Sequence, residues 1–240
     1  MRLTVCMAYV INPARIPWWR CAQRHLLHRI PTLLVLAVLL AASSQVLGQH
    51  EDEARRDAWQ QPDRVMDALG IGAGSRVADV GCGDGYFVLR LARRVGNEGL
   101  VYGVDVDAGE LRKLRRRVRE DGFTNVEIIE SRDDDALLPP ASVDVVLIVN
   151  AYHEMRNFDA MLRSIHRALR PGGLVAIIDA PGSGERDRKS HQSAHTIAEL
   201  LVQDDAIRNG FRFLRREPGF ERTESSRREW FFLIFQKPAE

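Results

Sequence analysis

The segment of residues 79–85, DVGCGDG, has the residue types and spacing that most directly indicate chemistry. It follows an apolar run and precedes apolar residues at helical spacing, so we predict that it joins a strand to a helix. Glycines at such a turn permit positive φ and let a ligand approach the main chain, while the first helical turn offers unpaired N–H groups. The loop is therefore predicted to hold a ligand against its backbone.

Asp105 ends the next apolar run, 20 residues after Gly85. A carboxylate at that place can accept hydrogen bonds from both ribose hydroxyls of an adenosine, which predicts a nucleoside or nucleotide ligand. A dinucleotide fingerprint reads G-x-G-x-x-G, whereas this loop reads G-x-G-x-G with an acid two residues before its first glycine. The pattern disfavours a dinucleotide, and an NAD-type nucleotide-binding protein remains an alternative.

A third group of polar side chains, led by Asn150, follows the apolar run at 143–149. It is expected at the carboxyl edge of a sheet, where open α/β folds bind ligands. His153 is the candidate general base, because a histidine titrates near neutral pH, with Glu154 as its orienting acid and Tyr152 as a stacking surface for a substrate. The alternatives are that His153 and Glu154 cap the next helix or shape the pocket wall, and that Tyr152 has a packing role.

Two further histidines and the possibility of a metal site were also considered from the residue pattern. His191 and His195 follow the fifth apolar run, and His195 is a candidate substrate contact, with a surface or structural role as its alternative. His153 and Glu154 by themselves are too few to ligate a metal, and further ligands would have to come from distant parts of the chain. We therefore expect no metal.

The elements that must position these groups alternate along the chain. A short helix at 62–69 is followed by strands at 76–80, 100–105, 126–129, 143–149 and 174–178, with amphipathic helices after the first, second and fourth strands. A polar loop at 181–192 and a helix at 193–209 come next, and apolar runs at 211–214 and 230–235 should pair antiparallel. The alternation predicts a doubly wound, mostly parallel α/β sheet.

Residues 55–238 resemble the class I S-adenosylmethionine-dependent methyltransferases, in the small-molecule branch of methyltransferase type 11 or 25. The resemblance rests on WQQPD at 59–63, VADVGCGDGYF at 77–87, VYGVD at 101–105, YHE at 152–154 and LRPGG at 169–173. It implies a Rossmann-like sheet of seven strands with the last strand antiparallel, and S-adenosylmethionine as the cofactor. It also implies transfer of a methyl group by in-line displacement to a small-molecule acceptor, which the sequence does not identify. A catalytically silent module that only binds the cofactor is the competing hypothesis.

The same resemblance implies roles for individual residues. It implies that the methionine end of the cofactor is bound by Asp79, Gly81, Gly83 and Gly85, and that the ribose is bound by Asp105. Cys82 is expected as a small apolar neighbour of the cofactor, and Val106 and Asn150 complete the predicted cofactor site. Relatives commonly place an acid after the third strand to accept the adenine amino group; here that position is Arg132, so we choose the adjacent Asp133, because a guanidinium cannot accept a hydrogen bond. Asp134 and Asp135 are expected to be solvated.

Composition excludes several classes of function. The chain has 34 Lys and Arg residues and 33 Asp and Glu residues in total, and 45% of it is hydrophobic. Residues 1–48 contain five arginines and no acid, which leaves 29 basic against 33 acidic residues, a net charge of −4, for the remainder. A nucleic-acid partner is therefore not expected. Cys82 is the one cysteine after residue 48, which excludes an internal disulfide in that part of the chain.

The first 48 residues have the layout of a targeting segment. Arginines precede an unbroken apolar run at 33–42, which suits the core of a secretory signal better than a membrane span of roughly 20 residues. We expect a signal peptide or membrane anchor at 1–48 and a methyltransferase domain at 49–240. The domain would then be exported or anchored, touching a membrane only through this segment; it would be cytoplasmic if an upstream start had been misassigned.

Overall fold

The structure is a computed structural model that describes Glu53 and residues 56–58, 60–183, 187–220 and 229–239. The predicted leader at 1–48 lies outside these residues, and its boundary with the following domain stays a prediction. The chain divides into two units, and the second, residues 54–240, contains the fold described below. Within the described ranges, no helix has both the length and the apolar character needed to cross a membrane.

Seven strands form one mixed sheet, as predicted. They are β1 (Arg76–Val80), β2 (Leu100–Asp105), β3 (Val126–Glu130), β4 (Val143–Val149), β5 (Leu169–Asp179), β6 (Arg212–Arg216) and β7 (Phe231–Gln236). Their order is β3-β2-β1-β4-β5-β7-β6, and β7 is antiparallel to both of its neighbours. The strand at 143–149 is central, which explains why its sequence is almost wholly apolar.

Six α-helices have both ends within the described residues, and residues 53, 56–58 and 60 before them are also helical. The six are α1 (Pro62–Ala68), α2 (Tyr86–Val95), α3 (Ala108–Glu120), α4 (Phe158–Ala168), α5 (Arg188–Ala194) and α6 (Glu199–Arg208). Asp107 caps α3, since its side chain accepts hydrogen bonds from the backbone N–H groups of Gly109 and Glu110. The first four helices match the elements predicted from the sequence.

The sheet separates two apolar layers. Successive residues of β4 alternate between them: Val145 and Leu147 pack with α2 and α3, while Val146 and Ile148 pack with α4 and α6. Both faces of the central strands are therefore covered. The edge at the carboxyl ends of β1, β2 and β4 is left for the connecting loops, which carry the predicted site residues.

Two predictions for the region after β5 are wrong. Residues 188–192 of the expected loop belong to the helix α5, which ends at Ala194, and the main helix expected at 193–209 begins only at Glu199. Between these helices His195 adopts a left-handed conformation, with φ of 50°, and Ile197 forms a bridge with Pro181. This bridge ties the connection to the end of β5, so a tertiary contact interrupts the helical pattern.

Candidate cofactor and acceptor site

A cleft of about 750 Å³ opens at the carboxyl edge of the sheet. Its walls come from the loops that follow β1, β2, β3 and β4, with further side chains from α3, α4, α5 and His195. Seven residues singled out from the sequence as site residues line it together: Gly81, Gly83, Asp105, Val106, Asp133, Asn150 and Glu154. The cleft volume is in the range of small-molecule sites.

Gly81, Gly83 and Gly85 of the loop have different structural roles. Gly81 and Gly85 have positive φ, and a Cβ on either would collide with a neighbouring side chain, Ala151 and Leu114 respectively. Gly83 also has positive φ, of 54°, but a Cβ there would meet nothing within 4 Å. Because Gly83 lines the cleft, this open space is available to a ligand. Gly81 and Gly85 instead allow the loop to pack closely.

Asp105 is fixed by two backbone groups. Its Oδ2 accepts a hydrogen bond from the Gly83 N–H at 2.8 Å, and its Oδ1 accepts one from the Asp107 N–H at 2.9 Å. Each carboxylate oxygen can accept a further hydrogen bond, so the side chain can still receive two hydroxyls. The adjacent Val106 is 52% exposed and presents an uncovered apolar side chain to the cleft. This pair suits a ribose joined to a flat aromatic base.

Ser131 and Asp133, from the loop after β3, also line the cleft. Arg132, the alternative position for the adenine contact, donates its backbone N–H to the Asp135 carbonyl and is not among the lining residues. Asp135 also lies away from the cleft, where its carboxylate accepts the Leu137 N–H and pairs with Arg167. The geometry thus favours Asp133 over its neighbours for this contact.

Asp79 and Cys82 are buried, and neither is among the lining residues of the cleft. Burial raises the pKa of Asp79 to about 7, with Arg56 opposing the shift and Asp105 adding to it. Burial also raises the pKa of the Cys82 thiol well above its usual range, and the side chain packs in the apolar layer of α2 and α3. Cys82 therefore has the small apolar character expected of it and no nucleophilic character.

The raised pKa of Asp79 predicts a proton release on cofactor binding. Near pH 7 this carboxyl is partly protonated, and a cationic ligand beside it favours the ionised form, so affinity for S-adenosylmethionine should increase from pH 6 to pH 8 and then level off. Titration calorimetry in two buffers of different ionisation enthalpy measures the protons released. Asp79→Asn should remove both the release and the pH dependence. A wild-type chain that releases no proton would contradict the prediction.

His153 is oriented by Asp179, not by Glu154. Its Nδ1 lies 2.8 Å from Asp179 Oδ1 and 3.0 Å from Oδ2, and its backbone N–H donates to the same carboxylate. Burial alone would lower the pKa of His153, but the hydrogen bond and charge of Asp179, followed by the nearby carboxylate of Glu154, outweigh it and raise the pKa above its usual value. Asp179 ends β5 and is fully buried. In the sequence, Asp179 directly follows the apolar run at 174–178. A carboxylate at the end of a buried strand needs a polar partner, so this position could have indicated a contact such as that with His153.

Glu154 and Tyr152 flank this pair but lie in different surroundings. Glu154 lines the cleft, and its Oε1 is 3.6 Å from His153 Nε2. Tyr152 is fully buried, and its hydroxyl donates a hydrogen bond to Asp205 at 2.8 Å. It is not among the lining residues of the cleft, which agrees with the alternative of a packing role. The catalytic roles of His153, Glu154 and Tyr152 stay predictions.

The second half of the cleft contains side chains that the sequence patterns did not single out, together with the candidate contact His195. Met155, Arg156, Met161 and Gln192 join His195 to line it. They come from the loop after β4, from α4 and from α5, which only the fold brings together. Two thioethers beside a guanidinium, an amide and an imidazole make a wall that is partly apolar and partly polar.

The strand order and the site together define a class of protein. The sheet order differs from the 3-2-1-4-5-6 order of dinucleotide-binding folds, because β7 enters antiparallel between β5 and β6. The open space above Gly83, the spare acceptors of Asp105 and the buried acid Asp79 fit an adenosyl group attached to a cationic amino acid. This combination is that of the class I S-adenosylmethionine-dependent methyltransferase fold.

Comparison with known proteins agrees with this class. Residues 77–173 match the model of a protein family described as a methyltransferase domain. A demethylmenaquinone methyltransferase of Geobacillus kaustophilus is 30% identical over 121 residues, 50% of this chain and 51% of the relative. A ubiquinone/menaquinone biosynthesis C-methyltransferase of Coxiella burnetii is 30% identical over 139 residues, 55% of this chain and 56% of the relative. The chain thus spans about half the length of the curated relatives it matches.

Among solved structures, an S-adenosylmethionine-dependent methyltransferase from Aquifex aeolicus aligns with a TM-score of 0.62 at 25% identity. The alignment covers 73% of this chain and 89% of that protein. The predicted family, the sheet topology and the S-adenosylmethionine cofactor that characterises this class are thereby confirmed.

Proposed function

We propose that the chain transfers a methyl group from S-adenosylmethionine to a small-molecule acceptor. The observation that carries the proposal is the cleft itself, which runs from Asp105 and the open space above Gly83 to a separate wall of side chains ending at His195. One half suits the adenosine and the other leaves room for a second molecule. A cleft of this kind can hold donor and acceptor at once.

Positioning supplies most of the catalysis in such a transfer. The bound cofactor contributes an electrophilic methyl group on a sulfonium, and the chain has to hold an acceptor atom about 3 to 3.5 Å from it. Asp105 and the glycine loop would fix the methyl donor, because the hydrogen bonds from the Gly83 and Asp107 N–H groups hold the Asp105 carboxylate in one position relative to the loop. Asn150, left-handed with φ of 54°, lines the same cleft. The acceptor would be held by the wall from α4 and α5.

The acceptor wall supports a molecule with an apolar body and a polar oxygen. Met155 and Met161 offer adaptable apolar contacts, while Arg156 and Gln192 offer hydrogen-bond donors. The names of the two curated relatives, a demethylmenaquinone methyltransferase and a ubiquinone/menaquinone biosynthesis C-methyltransferase, make a reduced quinone one candidate. A quinol has both features, so it belongs among the first acceptors to be tried.

The test is turnover of the full-length chain with S-adenosylmethionine labelled in its methyl group. Demethylmenaquinol, simple phenols, amines and a cell extract serve as acceptors, and mass spectrometry follows the label. We expect labelled product together with the demethylated cofactor. Cofactor binding with no labelled product across the acceptors and extract would instead support the silent module.

A parallel titration addresses the dinucleotide alternative. Calorimetry with S-adenosylmethionine and with NAD should give binding for the first compound and none for the second, because the loop lacks a third glycine in the dinucleotide register. Preference for NAD would overturn the proposal.

A further inference from the structure

Three potential ligand atoms for a cation meet beside the acceptor wall. His153 Nε2, a carboxylate oxygen of Glu154 and a ring nitrogen of His195 all lie within 4.8 Å of one another. Glu154 Oε1 is central, at 3.6 Å from His153 Nε2 and 3.7 Å from His195 Nδ1. Bonds of about 2.0 to 2.1 Å in a tetrahedral zinc site place ligand atoms about 3.3 to 3.4 Å apart. Two of the three separations are therefore close to those of a formed site.

The buried state of His153 points independently to a ligand. Its side chain is 1% exposed, yet Nε2 has no hydrogen-bond partner, and the atom faces Glu154. Leaving such a buried atom without a partner is unfavourable. A cation bound to the lone pair of Nε2 would satisfy it.

Asp179 completes the arrangement from behind. By accepting a hydrogen bond from Nδ1–H it favours the tautomer in which Nε2 carries a lone pair, and it increases the electron density of the ring. A histidine held by a buried carboxylate on one nitrogen and open on the other is the usual arrangement of a zinc ligand. The adjustment needed to close the site falls on His195, whose side chain is 72% exposed.

We propose that His153, Glu154 and His195 bind a divalent cation of the zinc class, with the remaining coordination position open toward the acceptor half of the cleft. Two imidazoles and one carboxylate are a donor set that zinc favours. The cation would use the lone pair that a general base needs, so this site replaces the base role of His153. If the proposed methyl transfer holds, the open position could bind an acceptor oxygen and lower its pKa.

The test compares zinc binding by full-length chains in which Cys6 and Cys21 are serine, because thiolates in the leader could bind zinc themselves. Glu154→Gln removes one ligand, and His195→Asn removes another while tolerating the left-handed backbone. Glu130→Gln and His166→Asn are matched controls outside the cluster.

After removal of bound metal with a chelator, titration calorimetry with Zn²⁺ alone is carried out without cofactor, so the result does not depend on the proposed methyl transfer. We expect one site with an affinity at least about tenfold weaker in each cluster variant and unchanged in each control, since even changes behind a ligand cost 10-fold or more. No zinc binding by the parent chain would overturn the proposal. So would an unchanged affinity in either cluster variant.

Discussion

Gly83→Val is expected to reduce the affinity for S-adenosylmethionine at least about 100-fold, because the new side chain enters the space above the loop that the ligand would occupy. Calorimetric titration measures the loss. Valine at a φ of 54° also strains the backbone by about 1 to 2 kcal/mol, so stability has to be measured beside affinity.

Gly122→Val separates these two effects. Gly122 has a φ of 72°, and a Cβ there also meets nothing within 4 Å, but the residue lies in the turn after α3 and not in the cleft. Both variants should lose similar stability in thermal unfolding, and only Gly83→Val should lose the cofactor. Equal cofactor affinity in the two variants would show that Gly83 does not face the ligand.

Asp105→Asn is expected to weaken S-adenosylmethionine binding by about 10- to 100-fold, as hydrogen bonds to a charged group contribute about 1.5 to 3 kcal/mol. The asparagine amide can accept from one of the two backbone N–H groups that now hold Asp105, and its NH₂ then faces the other donor. The demethylated product should lose affinity by the same factor, because both compounds carry the same ribose.

Asp107→Asn is the matched control for charge. It removes the same negative charge from the same cleft, and asparagine caps a helix about as well as aspartate. Cofactor affinity should therefore change little. A loss as large as that of Asp105→Asn would mean that the cleft attracts the cofactor by its overall charge and not through the ribose contact.

The part of the cleft that contains Gly83 and Asp105 could be predicted because short sequence patterns determine it. A glycine loop after a buried strand and an acid at the end of the next strand are set by short stretches of chain, so Gly83 and Asp105 could be placed from the sequence. The parallel order of the strands then brought them to one cleft. Gly81 and Gly85 have the predicted loop conformation, but their contacts with Ala151 and Leu114 depend on tertiary packing.

The acceptor half depends on long-range contacts and was largely missed. Asp179 reaches His153 only because β4 and β5 are neighbours, and Glu154, the predicted partner, turns its carboxylate to the other ring nitrogen. His195 joins them because the chain breaks its helical pattern there to form the bridge of Ile197 with Pro181. A bridge between two distant residues leaves no periodic pattern in the sequence, so it could not be predicted.

The position of β7 has a consequence for synthesis of the chain. β7 lies between β5 and β6, both of which leave the ribosome before it. Until residue 236 has emerged, the facing edges of β5 and β6 have no strand to pair with, and the aromatic residues that β7 supplies to both apolar layers are missing. A nascent chain halted before Phe231 thus exposes two open strand edges, which favours aggregation unless a chaperone covers them.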